Sequence, residues 1–149
     1  MENLLLQPVV KPDKNKLEDA YEVAYDLAIK RAGELIKVPK FFQFDGASIP
    51  SPAWQVIGTP FQPRFMAAAV FHDWLYHTHQ VDQDVTNGLF YDLLVEYGVG
   101  KTKAAIMRAA VETVGAWYWG NDKDDLDYLK RLAARIKQDG RDPADYHMP

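Results

Sequence analysis

Cysteine is absent from the 149 residues. That excludes a disulfide framework and any thiolate metal centre, leaving imidazole and oxygen groups as the only metal ligands the chain can offer. A surplus of positive charge is missing too. Seventeen Lys and Arg against 21 Asp and Glu give a formal charge of −4, the reverse of the basic face with which domains neutralise phosphates, so no nucleic-acid partner is expected. Long apolar runs are lacking: the longest, Phe65 to Phe71, falls far short of the roughly 20 residues of a spanning helix. The opening MENLLLQPVV has no basic n-region and only three consecutive leucines, a poor match to a secretory signal. A soluble protein without a transmembrane segment is the expectation.

What the chain does have is core-forming material. With 48% hydrophobic and 13% aromatic residues, it can bury a real core, and no repeat, low-complexity tract or long linker divides it, so residues 1–149 read as one domain. Residues 1–50 are β-rich, 51–138 helical and 139–149 a polar tail. Leu4 to Val10 suggests a first strand. Tyr21, Val23, Tyr25, Leu27 and Ile29 alternate with Glu22, Ala24, Asp26, Ala28 and Lys30, which predicts one half-buried strand. Arg31-Ala32-Gly33 turns it back into Glu34–Val38, giving a hairpin over 20–38 closed by Pro39. The glycine and prolines of Asp45-Gly46-Ala47-Ser48-Ile49-Pro50 make an ordered loop, with a short helix over Ala53–Ile57 after it.

Helical periodicity governs the rest. A helix is predicted around Phe65–His79, a second over Asp84–Tyr97, and a third over Lys101–Trp119. The third carries a stripe of Met107, Val111, Val114 and Tyr118, and offers small surfaces at Ala109, Ala110 and Gly115 on which another helix can pack. Asn121 or Asp122 caps a fourth, with Leu126, Leu129, Ala133 and Ile136 as its buried stripe and its acids ahead of its bases. The fold class is therefore α+β: a small N-terminal antiparallel sheet on a C-terminal bundle of about four helices.

Three of the four histidines fall in His72-Asp73-Trp74-Leu75-Tyr76-His77-Thr78-His79. On a helix His72 shares a face with Phe65, Ala68, Ala69, Leu75 and Tyr76, where partial desolvation favours a neutral imidazole able to accept a proton. Asp73 points about 100° away and lines up with His77 one turn later. Those two can share a divalent metal ion, the one cofactor the residues suggest, or simply pair. A core histidine bonded to a loop carbonyl, beside a locally paired aspartate, satisfies the same pattern. His77 and His79 also suit an exposed helix end. In the preceding loop Asp45 and Ser48 can bring a carboxylate and a hydroxyl together, or bond only their own backbone. No G-x-S-x-G elbow, phosphate loop or H-E-x-x-H is present.

Taken in order, Val38-Pro39, Phe44-Asp45-Gly46-Ala47-Ser48-Ile49-Pro50, Ala69 to Tyr76, Gly88-Leu89-Phe90 and Tyr97 to Trp119 resemble domain-of-unknown-function family 1353, small proteins of phages and bacterial prophages. The resemblance spans roughly residues 4–119. It implies a phage or prophage origin, and implies that Asp45, Ser48, His72, Asp73 and Tyr76 occupy the motif positions. It also implies an aspartate three residues before Phe90, where this chain has Asn87. An amide there can accept a hydrogen bond but cannot stabilise an imidazolium by charge. Locally, His72-Asp73-Trp74-Leu75-Tyr76 is also similar to the H-D-x-x-Y helix of secretory phospholipases, without their calcium loop or disulfides.

Two functional expectations follow. One is a phage-encoded, hydrolase-like domain acting on a cell-envelope component or a lipid. His72 is then the general base for water, Asp45 or Asn87 orients it, Asp73 holds a metal or buttresses the loop, and Tyr76 and Ser48 complete the site. The other is a non-catalytic virion or tail component whose motif residues lock the loop onto the helix core, with other phage proteins or a second copy as partners and Trp54, Phe61 or Trp119 as exposed anchors. A small regulatory or anti-defence protein made after infection fits the size and acidity alone. Each places the chain in the host cytoplasm during infection, or in the virion.

Overall fold

The computed structural model describes residues 6–8, 21–44, 63–120 and 123–148. Among the described residues five short strands precede four helices: β1 (Leu6–Pro8), β2 (Tyr21–Val23), β3 (Leu27–Arg31), β4 (Glu34–Val38), β5 (Gln43–Phe44), α1 (Pro63–Thr78), α2 (Gln83–Glu96), α3 (Lys101–Tyr118) and α4 (Lys123–Gln138), followed by a 3-10 turn over Pro143–Tyr146. The strands form two small antiparallel sheets, β1-β2-β5 and β3-β4. This is the α+β arrangement read from the sequence.

The hairpin is longer than its pattern suggests, and bent. Tyr21 lies opposite Phe44 and Leu27 opposite Val38, so one register runs through a ribbon from 21 to 44. The single strand expected over 21–29 is instead β2 and β3, interrupted at 24–26. Asp26 holds the interruption open: its carboxylate accepts the Lys40 N–H at 2.8 Å and the Tyr146 hydroxyl at 2.6 Å, and pairs with Arg141. Opposite it, Phe42 N–H donates to the Pro39 carbonyl, while Phe41 N–H and the Phe42 carbonyl both bond Val23. Phe41 and Phe42 thus both face Val23, and Phe41 sits at φ 86°, a local β-bulge whose first residue takes the left-handed conformation usual for glycine; residues 24–26 take up the offset, so the register is the same on either side. The Arg135 and Arg141 guanidinium groups lie 4.2 and 5.5 Å from its ring, holding it there by cation–π attraction. At the far end Ala32 and Gly33 both have positive φ, 53° and 73°, the tight turn that matches strand twist.

α1 is buried on all sides: every residue from Phe65 to Tyr76 is in the interior. An all-round apolar helix belongs at the centre of a fold, and α1 packs on α2 and β4 while α2 packs on α3. The core it belongs to also includes Ile36, Val38, Phe42, Leu93, Met107 and Ile136. α2 starts at Asp82, whose side chain accepts the Val85 N–H at 2.8 Å. It stops with Gly98 and Val99 N–H groups bonding the Val95 and Leu94 carbonyls, a Schellman ending. A second such ending at Gly140, with bonds to Lys137 and Ile136, turns the polar C-terminal residues back so that Tyr146 is buried.

Two expected stripes shift. Tyr118 is 42% exposed, and it is Gly115 that makes the close approach to Gln83, the first residue of α2. On α4, Leu126 is exposed and Leu132 joins Leu129 and Ile136 in the core instead. The expected 53–57 helix, the D-G-A-S-I-P loop and the Asn121–Asp122 cap lie outside the described residues.

Candidate functional site

Residues 72 and 73 are neighbours in sequence but face different elements. His72 and Tyr76, one turn apart on α1, point towards α2. The His72 ring sits against Tyr76 and Phe90, with centroids 4.3 and 4.8 Å away. Asn87, also buried, closes the arrangement: its Oδ1 lies 3.0 Å from His72 Nε2 and accepts the Tyr76 hydroxyl at 2.9 Å. An amide oxygen only accepts, so the shared proton belongs to His72 Nε2 and the imidazole lone pair to Nδ1. Burial pushes the His72 pKa down to about 4, and the Asn87 bond offsets only part of that shift. At neutral pH the ring is uncharged.

Tyr76 is held from three sides. Gln83 hydrogen-bonds its hydroxyl, and burial raises its pKa. Trp119, at the end of α3, meets its ring edge-on at 5.1 Å. Trp119 also stacks on His79 at 4.0 Å, and its carbonyl bonds the His79 ring. Gly115 makes this closeness workable, because a Cβ there would overlap Gln83 Nε2 and lie 3.0 Å from the Tyr76 hydroxyl.

Outside this network the N-terminus of α2 and the flank of α3 form an open groove of about 540 Å³, lined by Asp82, Gln83, Asp84, Asn87 and Glu112. Arg108 crosses its edge, donating to Glu112 at 2.8 Å and lying 3.6 Å from Asp84. Asn87 is common to both places. Among the described residues that line the groove, Asn87 is the one bonded to His72.

The other side of α1 carries Asp73, Trp74 and His77. Trp74 and His77 meet Phe42 edge-on at 4.9 and 5.8 Å, and His77 also approaches the Tyr128 ring. Tyr128 accepts the Gln43 N–H at 2.8 Å, fixing β5 against α4. Its pKa is raised, first by burial and then by the Asp73 charge among others. Asp73 and His77 stand one turn apart as expected, but among the described residues no group of three His, Asp or Glu gathers into a metal site. Of the residues singled out from the sequence, His72, Tyr76 and Asn87 come together, Asp73 and His77 lie apart from them, and Asp45 and Ser48 are outside the described residues. Gln83, Gly115 and Trp119 were not anticipated as part of this cluster. Gln83 was readable as a neighbour of Asn87 one helical turn away, while Gly115 was visible only as a small surface.

A family model described as "Protein of unknown function (DUF1353)" matches residues 21–111. The chain belongs to the DUF1353 family. The match includes the ribbon, α1, α2 and the first part of α3, and so His72, Tyr76 and Asn87. Two relatives from Sinorhizobium fredii (strain NBRC 101917 / NGR234) are similar over half of this DUF1353 chain. "Uncharacterized protein y4iH" is 37% identical over 76 residues, 51% of this chain and 31% of its own. "Uncharacterized protein y4jT" is 38% identical over 78 residues, 52% and 23% respectively. The matched region is thus less than a third of either relative. No solved structure matches.

Proposed function

We propose that this DUF1353 protein is a phage- or prophage-encoded component that works by contact rather than by turnover, as a virion- or tail-associated interaction protein. In it His72, Tyr76 and Asn87 are the polar joint that fixes α1 to α2. One observation carries the reading: His72 is 1% exposed and bonded through Nε2 to an uncharged amide. A general base works best with a pKa near the working pH and must reach its water. The His72 pKa of about 4 and its burial oppose both conditions. The phage or prophage origin rests on the motif resemblance, as does action in the infected host's cytoplasm or in the virion.

The groove favours one second reading. It ends on Asn87, the residue in contact with His72, so a hydrolase acting on a lipid or a cell-envelope polymer has a place for its substrate. Asp45 and Ser48 would come from the preceding loop, and Asp73 would hold a divalent ion or brace that loop. Incubating the purified protein with phospholipid vesicles and with isolated peptidoglycan, with and without magnesium, calcium or zinc, separates the two. We expect no product above the blank. Turnover by the native chain that His72→Gln abolishes would establish the hydrolase reading and end the first.

A further inference from the structure

α3 has two uncharged faces, and the described residues cover one of them. Ala104, Met107 and Val111 are buried against the core. On the opposite side Thr102, Ile106, Ala109, Thr113 and Trp117 follow at intervals of three and four, all exposed, so they form one stripe along the helix. Trp117 is 80% exposed and Ile106 48%. The Thr113 hydroxyl donates to the Ala109 carbonyl at 2.8 Å, which spends its polarity inside the helix. On a chain of net charge −4, a stripe with no charge and a tryptophan at its end marks a contact surface.

Along the chain, α3 is flanked by opposite charges. Lys101 and Lys103 stand at its N-terminal end, both exposed. Beyond its C-terminal end α4 begins with Asp124, Asp125 and Asp127 against Lys123 alone. None of Lys101, Lys103 and Asp124 takes part in the ion pairs found among the described residues. A parallel neighbour of the same kind would set like charges together. An antiparallel one sets base against acid at both ends and opposes the helix dipoles.

We infer that this face of α3 is the site of self-association, occupied by α3 of a second copy running antiparallel. A two-fold axis midway between Ile106 and Trp117 places the tryptophan of each copy on the isoleucine of the other, with Ala109 and Thr113 at the close approach between them. Such a contact is isologous and closes at two copies. One helix face is small by the standard of stable interfaces, so the association is in the micromolar range. The inference shares with the proposed function only the premise of action by contact, which the hydrolysis assay tests separately.

Sedimentation equilibrium of the full chain from about 1 to several hundred micromolar is expected to show a monomer–dimer equilibrium, as an interface of this size implies. Trp117→Lys should weaken it at least tenfold while leaving the circular dichroism and the thermal midpoint unchanged, since the side chain is exposed. The absence of cysteine supplies the orientation test. Thr113→Cys, near the axis, should cross-link through a short bis-maleimide, and Thr102→Cys should not, because its copy lies about 28 Å away along an antiparallel pair. A monomer at the highest concentration, a dimer indifferent to Trp117→Lys, or cross-linking at both cysteines would overturn the proposal.

Discussion

An amide oxygen and a carboxylate oxygen accept the same hydrogen bond, but only the carboxylate stabilises a protonated imidazole. Position 87 is where this matters, because Asn87 Oδ1 bonds both His72 and Tyr76. Asn87→Asp changes the charge while keeping the shape. We expect it to raise the His72 pKa from about 4 by about one to three units, following the usual effect of an adjacent opposite charge. A proton NMR titration of the imidazole Cε1–H signals measures this, with the missing signal of His72→Gln supplying the assignment. A His72 curve that does not move in Asn87→Asp would show that the 72–87 bond is not what sets its protonation.

The crossing of α2 and α3 is limited by Gly115. Glycine inside a helix costs about 1 kcal/mol relative to alanine, so its presence at residue 115 must be offset by what it admits: the Gln83 amide and the Tyr76 hydroxyl close to where a Cβ would stand. Alanine would meet the end of a flexible glutamine, which can swing aside. Gly115→Ala should therefore leave stability within about 1 kcal/mol of native in urea titration, because the better helix propensity of alanine offsets the displacement of the Gln83 amide. Gly115→Leu drives a larger side chain into Tyr76 and should cost about 1–3 kcal/mol. Equal midpoints for all three would mean that the approach at Gly115 is looser than described.

Elements also show what periodicity conveys. α2, α3 and α4 were legible because burial repeats every three or four residues along them, and α1 as an apolar run buried on every side, while the His72–Tyr76 pairing followed from helical spacing alone. The break at 24–26 was not, since its cause is distant: Asp26 is held by Arg141 and Tyr146, more than a hundred residues on. The exposure of Tyr118 breaks the apolar stripe of α3, which no pattern within that helix contains. For the same reason Asn87 could be suspected from a motif, whereas Gln83 and Trp119 join the site only through helix crossings.

For the molecule as a whole, the buried neutral His72 links folding to pH. In the unfolded chain its pKa is the ordinary 6.5 and in the fold it is about 4. Between these values the unfolded chain binds a proton that the folded one refuses, so stability rises with pH across the window and is lost as pH falls through it. The contribution is complete above about pH 7 and gone near pH 4. Its ceiling is about 3 kcal/mol at about 1.36 kcal/mol per pKa unit. Asp26 acts at lower pH in the same direction: burial alone would raise its pKa, but the Tyr146 hydroxyl, the Lys40 N–H and Arg141 together bring it below 3.8. Acid should therefore weaken the centre of the fold first and the clasp between the ribbon bend and the C-terminal turn afterwards. Urea midpoints at about pH 7.5, 5.5 and 4.5 should fall steeply for the native chain and less for His72→Gln, whose amide can still donate to Asn87 but does not titrate. Parallel declines for the two chains would place the acid sensitivity elsewhere than His72.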